Sequence, residues 1–281
     1  MTTIQIITDG SCDLPKLLAE ELKLSIVPLS VQFGEECMSP HMELCDFYAK
    51  MKTESELPKT SSPSPLHFLE RYQQAASLGH DLLVICLSSA LSSTYCHAVM
   101  AKDMLLEEGF GGKIEVIDSK TASLGLGVLV YKAAKMVEAN TTFEHIVQTI
   151  TEAVATSGTY FFLDTLENVI KGGRLDRVRG AVASVLNIKL LMRASEEGSV
   201  EVIEKIRGTQ QALKRLIDKV GEVRHDFEKD VIAVAHCNCE ERARKVLNQL
   251  LEKYPFRNVL FSNMGTVIGT YAGEGGVLVA Y

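Results

Sequence analysis

Residues 81–87, Asp-Leu-Leu-Val-Ile-Cys-Leu, carry one polar side chain in seven. A strand with one wet face alternates apolar and polar residues. A run without alternation is covered on both sides, as expected of a central strand in a parallel sheet flanked by helices. Ile4-Gln5-Ile6-Ile7 and Lys113–Asp118 read as further strands. Leu24–Phe33 is another, with Pro28 putting it at an edge or a bend. Asp13-Leu14-Pro15 starts a helix, a cap-type residue close before a proline. Helical patterns follow over residues 65–78, 93–109 and 125–139. Strands and helices alternating at this spacing predict a doubly wound parallel sheet.

A boundary falls near Thr156-Ser157-Gly158. At about 150 residues per domain, a chain of 281 residues accommodates two α/β domains, 1–158 and 159–281. Beyond the boundary, 160–164 reads as a strand and 166–170 as helical. Strands 187–193 and 199–206 are joined by Ala194–Gly198, whose glycine can supply a positive φ, so a β-hairpin is expected. Helix 209–220, strand 231–235, helix 240–254, strand 258–262 and strand 276–280 complete the chain. The C-terminal domain is thus also α/β, but mixed rather than purely parallel.

The formal net charge of −7 argues against a nucleic-acid binder, which carries a basic surplus. No apolar run approaches the roughly 20 residues of a membrane span, and no signal peptide stands at the N-terminus. Stable membrane insertion is therefore not expected. The seven scattered cysteines read as reduced thiols of a cytoplasmic protein.

Hydroxyls and glycines gather at three places. Ser88-Ser89-Ala90-Leu91-Ser92-Ser93-Thr94 lies directly after the buried strand and before a helix. In an open α/β sheet, ligands bind beyond the carboxyl ends of the strands. A helix start adds unpaired N–H groups and the positive end of a dipole, which suits a carboxylate or phosphate. Capping explains one such hydroxyl, but not five within seven residues. Thr60-Ser61-Ser62-Pro63-Ser64-Pro65 reads equally as a rigid loop or a binding loop. The third place is Thr266–Gly276.

Other chemistries find little support. Gly125-Leu126-Gly127 lacks the third glycine of a dinucleotide fingerprint, and no phosphate-binding lysine loop points to ATP. There is no G-x-S-x-G elbow, so no catalytic residue is assigned. His236-Cys237-Asn238-Cys239 lacks the spacing and the second ligand pair of a metal site. Lys171-Gly172-Gly173-Arg174, with Arg177 and Arg179, forms a basic cluster that fits either solvated charge or a docking surface.

Taken together, the segments resemble the DegV family along the whole chain. Thr8-Asp9-Gly10-Ser11-Cys12-Asp13-Leu14-Pro15 is similar to its opening T-D-S-x-x-D-L-P, and residues 60–65 to its T-S-x-P-S-P. Leu87–Tyr95 is similar to L-S-S-x-L-S-G-T-Y. Ile117-Asp118-Ser119 with Gly125-Leu126-Gly127, the Gly172-Gly173-Arg174 turn, Leu186-Asn187-Ile188-Lys189 and Ile268-Gly269-Thr270 follow in family order. The resemblance implies two α/β domains with an apolar tunnel between them that holds a long-chain fatty acid as ligand, with no cofactor. It implies that Thr60, Ser61, Ser92 and Ser93 grip the carboxylate. It also implies a partner, a separate ATP-binding (Dak-like) fatty acid kinase subunit that converts the bound acid to an acyl phosphate for phospholipid synthesis. Arg174 and Arg207 would face that partner.

Two positions depart from the pattern. Tyr271 stands where the family commonly has a histidine; a phenol can hydrogen-bond a carboxylate but cannot become a cation near neutral pH. Ser93 replaces a glycine, adding a hydroxyl and removing backbone freedom. A lipid is favoured energetically. Each buried methylene contributes about 0.8 kcal/mol, so a dozen give roughly 10 kcal/mol before association costs. The competing reading is an enzyme of the same fold acting on a small carboxylated or phosphorylated substrate.

Overall fold

The computed structural model describes residues 3–38, 42–54, 56–175, 188–223 and 226–281. Arg177, Arg179, Leu186 and Asn187 lie outside the described residues. The first part of the chain runs β1 (Ile4–Asp9), α1 (Lys16–Glu21), β2 (Ser25–Val27), β3 (Ser30–Phe33), β4 (Glu36–Cys37), α2 (Leu44–Thr53) and β5 (Lys59–Ser61). It continues through α3 (Pro65–Ser77), β6 (Asp81–Cys86), α4 (Thr94–Glu107), β7 (Ile114–Asp118), α5 (Leu124–Glu138) and α6 (Phe143–Thr156). Then follow β8 (Thr159–Phe162), α7 (Glu167–Lys171), β9 (Ile188–Ala194), β10 (Val200–Arg207) and α8 (Thr209–Val223). β11 (Val231–His236), α9 (Glu240–Lys253), β12 (Asn258–Asn263), α10 (Thr266–Ala272) and β13 (Val277–Ala280) end it.

Two larger sheets form, as expected. One is parallel, in the order β2-β1-β6-β7; the other is mixed, in the order β10-β9-β8-β13-β11-β12. Within the mixed sheet, β11 and β12 run parallel and the other neighbouring pairs antiparallel. β6 is buried along its whole length. Its alternate residues serve two cores: Leu82 and Val84 pack with α3 and α4, Leu83 and Ile85 with the seam between the sheets. β11 divides in the same way, with Ile232 and Val234 turned to the outer core of α8 and α9 and Ala233 and Ala235 to the seam.

Helix α5 fills part of that seam. It touches β1 and β6 on one side and β11, β12 and β13 on the other. Residues Leu124–Val130 are all buried, the pattern of a helix that is apolar all round because it meets no water. Small side chains on the second sheet, Ala233, Ala235 and Ala280, make room for it.

The structure departs from expectation at Pro28. The single strand expected over 24–33 is two strands in two sheets: β2 pairs with β1, and β3 joins a small antiparallel sheet, β4-β3-β5. Pro28 has no N–H to give a ladder and a fixed φ, so it sits between them. Helices α2, α6 and α10 were not anticipated from the sequence. In α10, Gly269 lowers intrinsic helix propensity, yet a Cβ there would overlap the Tyr48 hydroxyl. The β9–β10 hairpin is present, with Gly198 at φ +85°. A side chain at Gly198 would also overlap the Ser88 hydroxyl, because the hairpin tip rests on the end of β6.

Candidate functional site

Between the two sheets lies a cavity of about 120 Å³. Its walls are mainly apolar: Leu87 and Leu91 from the first sheet's side, Phe161, Leu163 and Leu278 from the second, Val267 and Ile268 from α10. Thr159, Phe161 and Leu163 share one face of β8 and its extension and all line it, so the slot follows this strand for roughly 13 Å.

Polar groups collect at the Leu163 end. The Thr60 and Tyr271 hydroxyls are 2.5 Å apart, though 211 residues separate them in sequence. Arg174 lies over the Tyr271 ring, 4.7 Å from guanidinium carbon to ring centroid. It donates to the carbonyl oxygens of Gly172 at 2.6 Å and Leu91 at 3.3 Å. Thr60, Ser92, Arg174 and Tyr271 all line the cavity, and Arg174 is the one charged residue among its described lining. A guanidinium stacked on a phenol and half withdrawn from water can attract a carboxylate without being the buried, unpaired charge that folding would penalise.

Capping and cavity lining coexist at Ser92. Its hydroxyl accepts from the Thr94 N–H at 3.3 Å and pairs with the Thr94 hydroxyl at 2.8 Å, at the start of α4. The neighbouring hydroxyls do other work. Ser93 pairs with Ser62 at 2.8 Å, tying the two hydroxyl-rich loops together. Ser89 donates to Asp118 at 2.5 Å, and Ser88 accepts from the Ala90 N–H at 3.2 Å. Ser61 is exposed at the end of β5, and neither Ser61 nor Ser93 lines the cavity. Arg207 is exposed at the end of β10, away from the lining.

Reading the sequence for function missed the wall opposite. Asp13, used there as a helix-start signal and as part of the opening motif, is half-buried and accepts from the Ser123 hydroxyl at 2.5 Å and the Gly265 N–H at 2.8 Å. It thereby joins the start of α5 to the start of α10, two walls of the slot. Burial pushes its carboxyl up to about 7, against the lowering effect of these two hydrogen bonds. The titratable groups around it are Asp9, Cys12, Tyr48 and Cys237, none of them cationic. Asp13 and Ser123 both hold left-handed backbone, at φ +53° and +54°. That conformation costs a non-glycine residue energy, and surrounding structure must hold it in place.

Thr121 and Thr159 also line the slot and bond to each other at 2.9 Å. Cys12, Cys86 and Cys237 are buried free thiols, and burial raises their pKa values, Cys12 to about 12; this is the opposite of an activated nucleophile. Among the described residues, no group of three or more His, Cys, Asp or Glu side chains could hold a metal ion. No described helix is long and apolar enough to cross a membrane.

A family profile described as "Uncharacterised protein, DegV family" matches residues 3–281. A DegV domain-containing protein of Halalkalibacterium halodurans is 34% identical over 282 residues, covering 99% of this chain and 97% of the relative. A DegV family crystal structure from Ruminococcus gnavus, refined with vaccenic acid, superposes with a TM-score of 0.93 at 28% identity, covering all of both chains. The Streptococcus pneumoniae fatty acid kinase B3 protein, loaded with linoleic acid, superposes with a TM-score of 0.87 at 25% identity, covering 100% of this chain and 99% of that one.

Proposed function

The chain belongs to the DegV family, and on that premise we propose that it holds a long-chain fatty acid in the slot between its sheets and presents the carboxylate to a partner kinase. The observation that carries this reading is the polarity of the slot. Its walls are mainly apolar, and Thr60, Ser92, Tyr271 and Arg174 converge at one end. An alkyl chain gains from each methylene it withdraws from water, and a few donors suffice to orient its head group. Tyr271 and Thr60 offer two hydroxyls there and Arg174 a positive charge. Ser93 acts from behind, its bond to Ser62 tying together the loops that carry Thr60 and Ser92, and the exposed Ser61 follows Thr60 on the same loop.

Residues 1–158 and 159–281 are the two units that enclose the acid. The partner is an ATP-binding, Dak-like kinase subunit, and acyl phosphate for phospholipid synthesis is the product. This chain supplies binding and presentation rather than catalysis, needs no cofactor, and works in the cytoplasm, a compartment its seven free cysteines suit. Arg174 and the exposed Arg207 are the cations available to the kinase.

Mass spectrometry of lipid extracted from the purified protein is expected to find a fatty acid in near-stoichiometric amount. Thr60→Ala combined with Ser92→Ala is expected to weaken retention by about tenfold or more, two hydrogen bonds to a charged group being lost. Acyl phosphate is expected only when ATP, this chain and a kinase subunit are combined. Turnover by this chain alone, or a slot that retains no acyl chain, would overturn the reading.

A further inference from the structure

The Thr121–Thr159 pair has a donor to spare. Each hydroxyl brings one hydrogen; Thr121 donates its own to Thr159, and the Thr159 hydrogen is left over. No other described group accepts from either hydroxyl. Both residues are more than nine-tenths buried, at 4% and 7% exposure, and both line the slot. A buried hydroxyl without an acceptor costs free energy, so the position is polar for a reason the aliphatic walls do not supply.

Room is made for the pair. Gly125, in the first turn of α5, lies against both hydroxyls, and a Cβ there would overlap each of them. Ser123, fully buried and lining the same stretch, adds a third hydroxyl. These residues sit at the Thr159 end of β8. The carboxylate-facing group lies toward the other end of β8, where Tyr271 packs on Gly172 in the turn after α7; the strand from Thr159 to Leu163 is roughly 13 Å long.

Building on the fatty-acid reading, we propose that Thr121 and Thr159 form a second polar station in the slot, which takes an oxygen carried in the middle of the acyl chain. The ligands so selected are mid-chain hydroxy fatty acids. Their hydroxyl can accept the unused hydrogen and return its own to a free lone pair of the threonines. An unsubstituted chain leaves that hydrogen unmet; a purely aliphatic slot would reject a hydroxy acid.

The test compares binding of octadecanoic acid and 12-hydroxyoctadecanoic acid to the delipidated full chain and to Thr159→Val. The wild type is expected to bind the two acids within about threefold of each other. Thr159→Val is expected to weaken the hydroxy acid by roughly 5–10-fold while leaving octadecanoic acid unchanged or tighter. Thr159→Ser, which keeps the hydroxyl, should restore the wild-type ratio, and Thr121→Val gives the same readout if Thr159→Val does not fold. An unchanged ratio of affinities in the valine variants overturns the station, even with octadecanoic acid bound normally. Failure of the wild type to bind either acid overturns the fatty-acid reading together with it.

Discussion

Strand β6 faces two interiors that differ in how they are filled. On its outer side, Leu82 and Val84 pack with Phe68, Tyr72, Ala98 and Ala101, all fully buried, and Tyr72 also donates its hydroxyl to the Ala98 carbonyl oxygen at 3.1 Å. On its inner side, Leu83 and Ile85 belong to a larger core in which α5 packs against both sheets and the slot remains open. Both sides are built from the same residue types. The difference is in the opposing surface: two helices interlock against one face, whereas two sheets, a helix and several loops meet at the other. Close packing gives the outer core its rigidity. The seam gives up some of it to leave space that a chain of methylenes can fill.

If that contrast is right, removing volume should hurt most where nothing else can replace it. Phe68→Ala is expected to cost about 3–5 kcal/mol in denaturant unfolding, with fatty acid content per folded molecule unchanged. A loss of ligand in proportion to stability would mean that the two cores are not separate.

Next in size is the half-buried carboxyl that braces the seam. Asp13 has its pKa raised from 3.8 to about 7, mainly by burial, so folding favours its protonated form. The stability this gives is complete below about pH 4 and is lost as pH rises through 7. Asp13→Asn keeps an acceptor for the Gly265 N–H and can donate to Ser123. Its benefit should therefore grow between pH 4 and 7 and level off above, reaching on the order of 2 kcal/mol at pH 8. A pH-independent loss on substitution, followed by thermal unfolding, would show that the ionised form is the one the seam requires.

Adding volume tests the contrast from the other direction. Ala98→Leu in the outer core is expected to cost about 1–3 kcal/mol by overpacking. Val267→Phe, which points more side chain into the slot, is expected to cost less than about 1 kcal/mol and to displace the bound acid, as read by denaturation and by mass spectrometry of the retained lipid. Equal costs at both positions would mean that the slot is too small for an occupant. The smallest effect is expected at Ser93→Gly, which breaks the contact with Ser62: about 0.5 kcal/mol or less, with slightly faster ligand release.

Much of this was legible in the chain. The parallel sheet followed from the unbroken apolar run of β6, the hairpin from Gly198, and the hydroxyl-rich loops that carry Thr60 and Ser92 from their clustering; Arg174, read as partner-facing, also lines the slot. Missed were α2, α6 and α10, and with α10 the way Gly269 trades helix propensity for a close approach to Tyr48. Thr121 and Thr159 were missed as wall residues, and Asp13 as the brace behind the wall, because their partners lie far away in sequence: Thr121 and Thr159 are 38 residues apart, and Asp13 and Gly265 are 252.

The sequence by itself determined which segments are strands buried on both faces, where hydroxyls gather after them, and the overall mixture of two α/β halves, because apolar periodicity and cap chemistry act over a few residues. Only the tertiary structure decided that Pro28 sends one apparent strand into two sheets, that Arg174 lies on Tyr271, and that a slot survives between the layers. A cavity is a property of surfaces that meet from distant parts of the chain, and no local pattern records how closely they fit.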